Sequence, residues 1–360
     1  MLLSVLLQFD SHICFSMGRK ISIGRALFMS DIIIVKNLVL VYADGTKAVD
    51  NISLNVREGE IFGFLGPNGA GKSTTIKVLT TLLRKTSGDV TVAGFNLERD
   101  AAAIREVIGV QSQETTVDGD LTGRENLELQ GHFHQMKTSD IKLRVDELLK
   151  LMGLESAAEK RAKNYSGGMK KRLDLATAII NKPKLLFLDE PTTGLDPQSR
   201  SAIWEYLQKL NKEEGITIFL TTQYLEEADK LCKRLSIIDF GKIVASGSPN
   251  ELKNDIGADS IRLSLENCER DKPRAKEIIQ TMTGVSEIMD SEECINIYAK
   301  NAGLLIADIV RALDSIDIRL RSVTFSQPSL DDVFMKHTGR RIRVEELVKA
   351  PSRMFGAGRR

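Results

Sequence analysis

Three short stretches of this chain carry residue types that together do phosphate chemistry. The first is Gly66-Pro67-Asn68-Gly69-Ala70-Gly71-Lys72-Ser73-Thr74. Its glycines let the backbone wrap an anion with N–H groups turned inward, and a helix starting behind them adds a positive dipole end. In that frame Lys72 reaches the β- and γ-phosphates of a nucleotide, and the Ser73 hydroxyl ligates Mg²⁺. The second stretch is Asp189-Glu190, closing the apolar run Leu185-Leu186-Phe187-Leu188. A carboxylate at the end of a buried parallel strand can meet the metal. Its neighbour points elsewhere and can polarise a water as general base. Without the phosphate loop, the acidic pair reads equally well as a cap before Pro191-Thr192; with it, the metal and base roles prevail. The third is Ser166-Gly167-Gly168, between Tyr165 and Met169. Ser166 suits the N-cap of a helix running through Leu173, Ala176 and Ile180, and the glycines offer backbone N–H groups to a second anion. Such a loop is common alone. Ahead of an acidic strand end it implies a composite site, because the chain's own phosphate loop already holds its own phosphates.

The elements that must position these residues follow an α/β pattern. Residues 32–35, 61–65, 185–188, 216–220 and 235–239 are short apolar strands bounded by polar residues or glycine. Four of them are flanked by helix-like segments, as buried strands of a parallel sheet are. The phosphate loop follows strand 61–65 and opens a helix through Ile76, Leu79 and Leu83, the context that makes its pattern credible. Between residues 121 and 164 the pattern turns helical, with apolar spacing in Asn126-Leu127-Glu128-Leu129 and Val145-Asp146-Glu147-Leu148-Leu149. A helical subdomain at about 115–180, carrying Ser-Gly-Gly, is therefore expected inside a nucleotide-binding domain at 31–258. A smaller unit at 259–339 reads strand (261–265), helix (273–282), two strands (285–289, 294–299), helix (303–313), strand (318–325). That is the β-α-β-β-α-β plan of ferredoxin-like α+β domains. A closing helix, 329–337, has Ser329 as N-cap and Gly339 as C-cap.

Composition excludes several classes. With 50 Lys plus Arg against 49 Asp plus Glu, the net charge of +1 among 360 residues gives no sign of a polyanionic nucleic-acid partner. Cys14, Cys232, Cys268 and Cys294 lack zinc or redox spacing and read as incidental thiols. His132 and His134 sit at i and i+2, so their rings diverge on a helix and do not form a metal pair. No apolar run approaches the roughly 20 residues that cross a bilayer. Residues 1–30 read as a leader outside the domains: Met1-Leu2-Leu3-Ser4-Val5-Leu6-Leu7 lacks a basic start, and Asp10 and His12 stand where cleavage belongs. Translation from Met29 or Met17 is the expectation. Residues 340–360, opening Arg340-Arg341-Ile342-Arg343, read as a solvated basic tail.

From residue 31 to about 258 the chain resembles the nucleotide-binding subunit of an ABC transporter. The phosphate loop, Ser166-Gly167-Gly168 and Asp189-Glu190 occur in family order. They are joined by Tyr42, Ile108-Gly109-Val110-Gln111-Ser112-Gln113-Glu114 and Thr193-Gly194-Leu195-Asp196. The resemblance implies that Tyr42 stacks on adenine, and that Gln113 is the lid glutamine touching Mg²⁺ and the membrane partner. It further implies that Asp196 lies in the dimer-contact loop, and that ATP with Mg²⁺ is bound. Thr221-Thr222-Gln223-Tyr224-Leu225-Glu226-Glu227-Ala228-Asp229 has glutamine where most of the superfamily has histidine. With Gln327-Pro328-Ser329-Leu330-Asp331-Asp332-Val333-Phe334, this resembles the daunorubicin-resistance branch of drug-export ATPases.

Gln223 can donate to a γ-phosphate and accept from water, but it carries no proton, so a mechanism needing an imidazolium there does not apply. A water-positioning glutamine suffices in GTPases, and Lys72, Asp189 and Glu190 are all present, so hydrolysis is expected. Met169 replaces the usual polar residue after Ser-Gly-Gly, which leaves that contact to backbone N–H groups. The resemblance implies a homodimer that powers export of a drug-like or other hydrophobic compound through a separate polytopic membrane permease, from the cytoplasmic face of the membrane. Two ATP molecules would lie between the phosphate loop of one subunit and Ser166-Gly167-Gly168 of the other. The helical subdomain, with Gln113 as hinge, would dock the permease. The C-terminal unit would stabilise the dimer; a small-molecule sensor is the other reading of that unit, but nothing between residues 260 and 339 converges on a ligand. The alternative is a soluble ATPase of the same superfamily acting on nucleic acid or the ribosome. Such proteins usually carry paired cassettes, long coiled coils or zinc modules. This chain has one cassette, no sustained heptads and balanced charge.

Overall fold

The computed structural model describes residues 30–256, 259–290, 295–299, 302–326 and 328–339. The expected leader (apart from Ser30), the basic tail, Cys14 and Cys294 lie outside the described residues. In chain order the first half holds β1 (Asp31–Val41), β2 (Lys47–Arg57), β3 (Ile61–Leu65), α1 (Lys72–Leu79), β4 (Ser87–Val92), β5 (Phe95–Asn96), α2 (Ala101–Val107) and β6 (Ile108–Gln111). The helical region follows as α3 (Gly123–Phe133), α4 (Thr138–Leu151) and α5 (Gly167–Ala178). Then come β7 (Leu185–Asp189), α6 (Pro197–Glu213), β8 (Thr217–Thr222), α7 (Leu225–Leu231), β9 (Arg234–Asp239), β10 (Lys242–Gly247) and α8 (Pro249–Ile256).

The sheet that matters for the site runs β10-β9-β3-β8-β7-β6, parallel except for its β10 edge. Every residue of β3, β7 and β8 is buried, as expected where helices or a second sheet cover both faces. Alternate side chains divide two cores. Phe62, Phe64, Phe187, Phe219 and Ile238 face one layer together with Ile76, Val78 and Leu79 of α1. Phe219 stands at the centre of three aromatic contacts, its ring centroid 5.6 to 5.7 Å from those of Phe62, Phe64 and Phe187. Ile61, Leu65, Leu186, Leu188, Ile218 and Leu220 face the other layer with α5, α6 and the helical region.

The sequence pattern understated the first layer. Residues 32–35 are part of the longer β1, which pairs antiparallel with β2 and β4 in the order β2-β1-β4-β5. Asn37, at φ 50°, shifts the register between Val35 and Leu38 and interrupts the alternation by which a long strand is recognised. Helix α1 stops at Leu79 rather than continuing through Leu83, because Thr81 takes φ 64° and turns the chain away. Helix α5 likewise ends at Ala178, short of Ile180.

The second unit comprises β11 (Asp259–Leu265), α9 (Cys268–Gln280), β12 (Val285–Asp290), β13 (Ile295–Ala299), α10 (Ala302–Asp314) and β14 (Leu320–Ser326), and α11 (Leu330–Thr338) closes the described chain. Its all-antiparallel order β12-β13-β11-β14 is the ferredoxin-like arrangement. Helix α9 begins at Cys268, not Pro273, so the proline sits inside the helix rather than at its start, where it is usually tolerated. One sheet face, with Ile261, Leu263, Ile295 and Ile297, packs on Ala275 and Ile279 of α9 and Ile309 and Leu313 of α10.

Helix α11 joins the two units. Ser329 and Asp332 form a reciprocal capping box, and Gly339 closes the helix at φ 72°. Leu330, Val333 and Phe334 enter the core shared with α5 and α6, while the Tyr298 hydroxyl on β13 donates to Asp332 Oδ1 at 3.4 Å. Phe334 is fully buried. Phe334→Ala is expected to cost about 3–5 kcal/mol, the range for a truncated core phenylalanine. Urea denaturation followed by circular dichroism checks this; an unmoved midpoint would place α11 outside the core.

Candidate active site

Three neighbouring parallel strands deliver the site. β3 and β7 flank β8, with Leu65 beside Thr222 and Thr221 beside Asp189 in register. The phosphate loop, Gln223 and Asp189-Glu190 therefore leave one edge of the sheet side by side. Two threonines of β8 lock this edge. Gly66 N donates to Thr222 O at 3.2 Å, and Thr221 Oγ1 donates to Asp189 Oδ1 at 2.6 Å. Glu190 N reaches both Thr221 O at 3.2 Å and Thr221 Oγ1 at 3.1 Å. These bonds hold Glu190 at φ 51°, a left-handed conformation costly for a residue with a side chain. The threonines were not among the expected site residues, and only their place at the end of a buried strand distinguishes them in the sequence.

The loop itself is shaped by glycine. A Cβ on Gly66 would lie 2.3 Å from Ile238 O, and one on Gly71, at φ 106°, 2.4 Å from Ala48 O. Neither position has room for another residue. Lys72, the first residue of α1, is 4% exposed, and its Nζ donates to Gly66 O at 2.8 Å and Pro67 O at 3.1 Å. The same ammonium lies 3.1 Å from Glu190 Oε1, while Glu190 Oε2 accepts from Thr193 Oγ1 at 3.2 Å. A buried ion pair is tolerable only when its remaining hydrogen bonds are made, as they are here. Ala70 O accepts from Gly241 N at 3.0 Å, which ties the loop to the β9–β10 turn.

A cavity of about 590 Å³ opens at the loop, lined by Asn68, Gly69, Gly71, Lys72, Ser73, Thr74, Tyr42 and Gln113, and also by Lys47, Phe240 and Gly241. The Tyr42 hydroxyl and Thr74 Oγ1 are 3.1 Å apart, which fixes the ring at the mouth. Phe240 was not anticipated; it is 75% exposed on the two-residue turn between β9 and β10, and it gives the cavity lining a second aromatic. Ser73 Oγ donates to Asp189 Oδ1 at 3.1 Å. This hydroxyl–carboxylate pair, with the exposed amide of Gln113 on the cavity wall, is a hard oxygen set suited to Mg²⁺. Among the described residues no group of three or more His, Cys, Asp or Glu forms a metal cage. Gln223 is buried, and its Oε1 has no hydrogen-bond partner, leaving an acceptor beside Glu190's strand end.

Ser166, Gly167, Gly168 and Asp196 do not line this cavity. Ser166 caps α5 by accepting from Met169 N at 3.3 Å and is exposed, as is Gly167. Asp196 caps α6, accepting from Ser199 N at 2.9 Å and Ser199 Oγ at 2.7 Å. The two caps touch through Gly168, where an added Cβ would lie 2.8 Å from Ser199 Oγ.

The family model for ABC transporters matches residues 49–193, and that for the C-terminal domain of DrrA1-3-like ATP-binding proteins matches residues 247–338. The daunorubicin resistance ATP-binding protein DrrA3 of Streptomyces coeruleorubidus is 41% identical over 300 residues, covering 83% of this chain and 94% of that one. The chain belongs to the daunorubicin-resistance family of ABC transporter ATP-binding proteins. The Nod factor export ATP-binding protein I of Cupriavidus metallidurans is 37% identical to this cassette over 322 residues, covering 88% of this chain and 100% of that one. Among solved structures, a dimeric ATP-binding cassette in a post-hydrolysis state with ADP and phosphate superposes with a TM-score of 0.55 at 29% identity, covering 60% of this chain and 98% of that one. The cbiO1 cassette of Clostridium perfringens, part of the cbiONQ transporter complex, gives 0.58 at 29% identity over 69% of this chain and 99% of that one. No helix among the described residues of the cassette is long and apolar enough to cross a membrane.

One further carboxylate supports the site from behind. Glu227 on α7 is fully buried, and its Oε1 accepts from Thr192 Oγ1 and Trp204 Nε1, both at 2.9 Å. It joins the loop after Glu190, helix α6 and the helix after Gln223. Burial pushes its pKa above the usual carboxylate range, against the pull of its hydrogen bonds. A folded pKa above the unfolded one means the folded state holds the proton longer. Its stability contribution is complete below the unfolded pKa and is lost as pH rises through the folded value. Glu227→Gln keeps the acceptor oxygen without the charge. Its melting temperature should match wild type near pH 4 and exceed it by about 2 °C or more at pH 8. A gap that does not widen with pH would show that burial does not govern this group.

Proposed function

We propose that this chain is the nucleotide-binding, ATP-hydrolysing subunit of an ABC transporter, working as a homodimer. It powers export of a drug-like or other hydrophobic compound through a separate polytopic permease, from the cytoplasmic face of the membrane. One observation carries the dimer: the phosphate loop faces its own cavity, whereas Ser166 and Gly167 stand exposed, and Gly168 half-buried, outside it. A second copy brings those backbone N–H groups to the γ-phosphate, with the Asp196 loops in contact at the junction. The export reading follows relatives whose names carry drug resistance and Nod factor export. We assign residues 31–258 to the ATPase domain, with about 115–180 as the permease-facing helical subdomain, and 259–339 to an accessory domain that stabilises the dimer.

Each residue's role follows from its place. Tyr42 packs on the adenine, while residues 66–74 wrap the phosphates. Lys72, already within 3.1 Å of Glu190, supplies positive charge between the loop and the carboxylate. Ser73, Asp189 and Gln113 would hold Mg²⁺, whose charge offsets that of the β- and γ-phosphate oxygens. Glu190 takes the proton of the attacking water, and Gln223 accepts a hydrogen bond from that water while donating to the γ-phosphate. Gln223 itself neither gains nor loses a proton.

Glu190→Gln should slow ATP turnover about 10²–10⁴-fold and leave a closed dimer on size-exclusion chromatography with ATP. Comparable turnover in the two proteins would remove Glu190 from the base role. Lys72→Ala should weaken ATP binding itself, seen by direct titration. Purification from native membranes in mild detergent should bring down a stoichiometric polytopic membrane protein. Ribosomal or DNA-repair proteins in its place would overturn the transporter reading.

A further inference from the structure

Helix α5 does more than present Ser166. The segment that follows β6 is largely exposed at Gln113, Glu114, Thr115 and Thr116, yet one buried carboxylate holds it. Asp174, on the second turn of α5, is 1% exposed. Its Oδ1 accepts from Thr116 N at 2.9 Å, Thr116 Oγ1 at 3.0 Å and Thr115 Oγ1 at 3.3 Å. Its Oδ2 accepts from Gln111 Nε2 at 3.2 Å. One turn earlier on the same helix, Lys171 Nζ donates to Gln113 O at 3.4 Å.

The neighbours of Asp174 along the helix, Leu173, Leu175 and Ala176, are core residues. A carboxylate among them is costly unless its oxygens are fully hydrogen-bonded, and here four donors converge on it, all from the segment around Gln113. Gln111 is the last residue of β6 and pairs with Leu188, next to Asp189. Its buried amide makes its bond to Asp174 through nitrogen, while its Oε1 has no partner. Ser166 lies eight residues from Asp174, about 12 Å along one helix.

We propose that Asp174 is a positioning residue that latches the Gln113 lid to the Ser-Gly-Gly helix. The lid over one ATP site and the Ser166 contact offered to the other then move as a single body. This rests on the dimeric ATPase reading above. Closure on nucleotide at Gln113 is passed through Thr115, Thr116 and Asp174 to α5, and from there to the site held by the second copy.

The latch is tested on the full-length chain with Asp174→Ala and Asp174→Asn. Asp174→Ala removes both acceptor oxygens and leaves the Thr115, Thr116 and Gln111 donors without them. In Asp174→Asn the amide oxygen still accepts from Thr115 and Thr116, and its N–H group donates to Gln111 Oε1 once the Gln111 amide turns over. Hydrogen exchange across residues 112–117 should accelerate at least tenfold in Asp174→Ala, with kcat lowered at least fivefold and ATP affinity within twofold of wild type. Asp174→Asn should keep both exchange and kcat within twofold of wild type. Wild-type exchange in Asp174→Ala, or an Asp174→Asn no better than Asp174→Ala, overturns the latch. So does a loss of kcat matched by an equal loss of ATP affinity. If Asp174→Ala does not fold, Asp174→Asn decides alone: wild-type exchange supports the latch, and failure to fold overturns it. A wild-type chain that hydrolyses no ATP overturns the functional reading, and exchange in the variants then judges the latch by itself.

Discussion

The site depends on one geometric constraint, the level ending of three adjacent parallel strands. With β8 between β3 and β7, the register that places Leu65 beside Thr222 and Thr221 beside Asp189 also fixes where the phosphate loop, Gln223 and Glu190 begin. A slip of one residue in any strand would turn its buried faces over as well as displace its functional group. The apolar cores on the two sides of the sheet, one centred on Phe219 and the other on Leu186, Leu188, Ile218 and Leu220, therefore enforce the catalytic register. Stability and chemistry are held by the same contacts.

That register also accounts for the concentration of buried polar groups at one edge. Lys72, Asp189, Glu190, Thr221, Thr222 and Gln223 are all buried within a few residues of the strand ends. Most are paired with one another: the lysine with two carbonyls and Glu190, Asp189 with Ser73 and Thr221, and Glu190 with Thr193. In a low-dielectric setting such a network is strong when satisfied, and an unpaired member stands out. The unpartnered oxygen of Gln223 stands out in this way.

Around this edge, single helices connect parts that are distant in sequence. Helix α5 starts at the exposed Ser166 and, two turns later, holds the segment bearing Gln113. Helix α7 starts beyond Gln223 and carries Glu227, which bonds the loop after Glu190. Helix α11 inserts Leu330, Val333 and Phe334 into the core behind these helices while bonding to the second sheet through Asp332. Rigid elements with bonded ends transmit displacement, whereas the exposed residues of the lid do not do so by themselves.

The chain's local chemistry was written in the sequence. Glycines at 66, 69 and 71, the apolar run closed by Asp189-Glu190, and Ser166 before two glycines each specify a conformation within a few residues, so they were legible without any fold. So was the β-α-β-β-α-β order of the second unit, whose short alternating strands and capped helices are local patterns. The antiparallel sheet around β1 was not legible, because Asn37 breaks the alternation and the partners β2 and β4 join β1 only in the folded core that all three share with α1. Nor were Thr221, Asp174 and Glu227: a threonine in a strand or an acid in a helix is ordinary until its partners, 32, 58 and 35 residues away in sequence, come within hydrogen-bond distance. Sequence alone determined which residue types stand at the spacings that phosphate chemistry needs. Only the tertiary structure decided which of them share a cavity, because burial and register are properties of the assembled sheet and not of any segment within it.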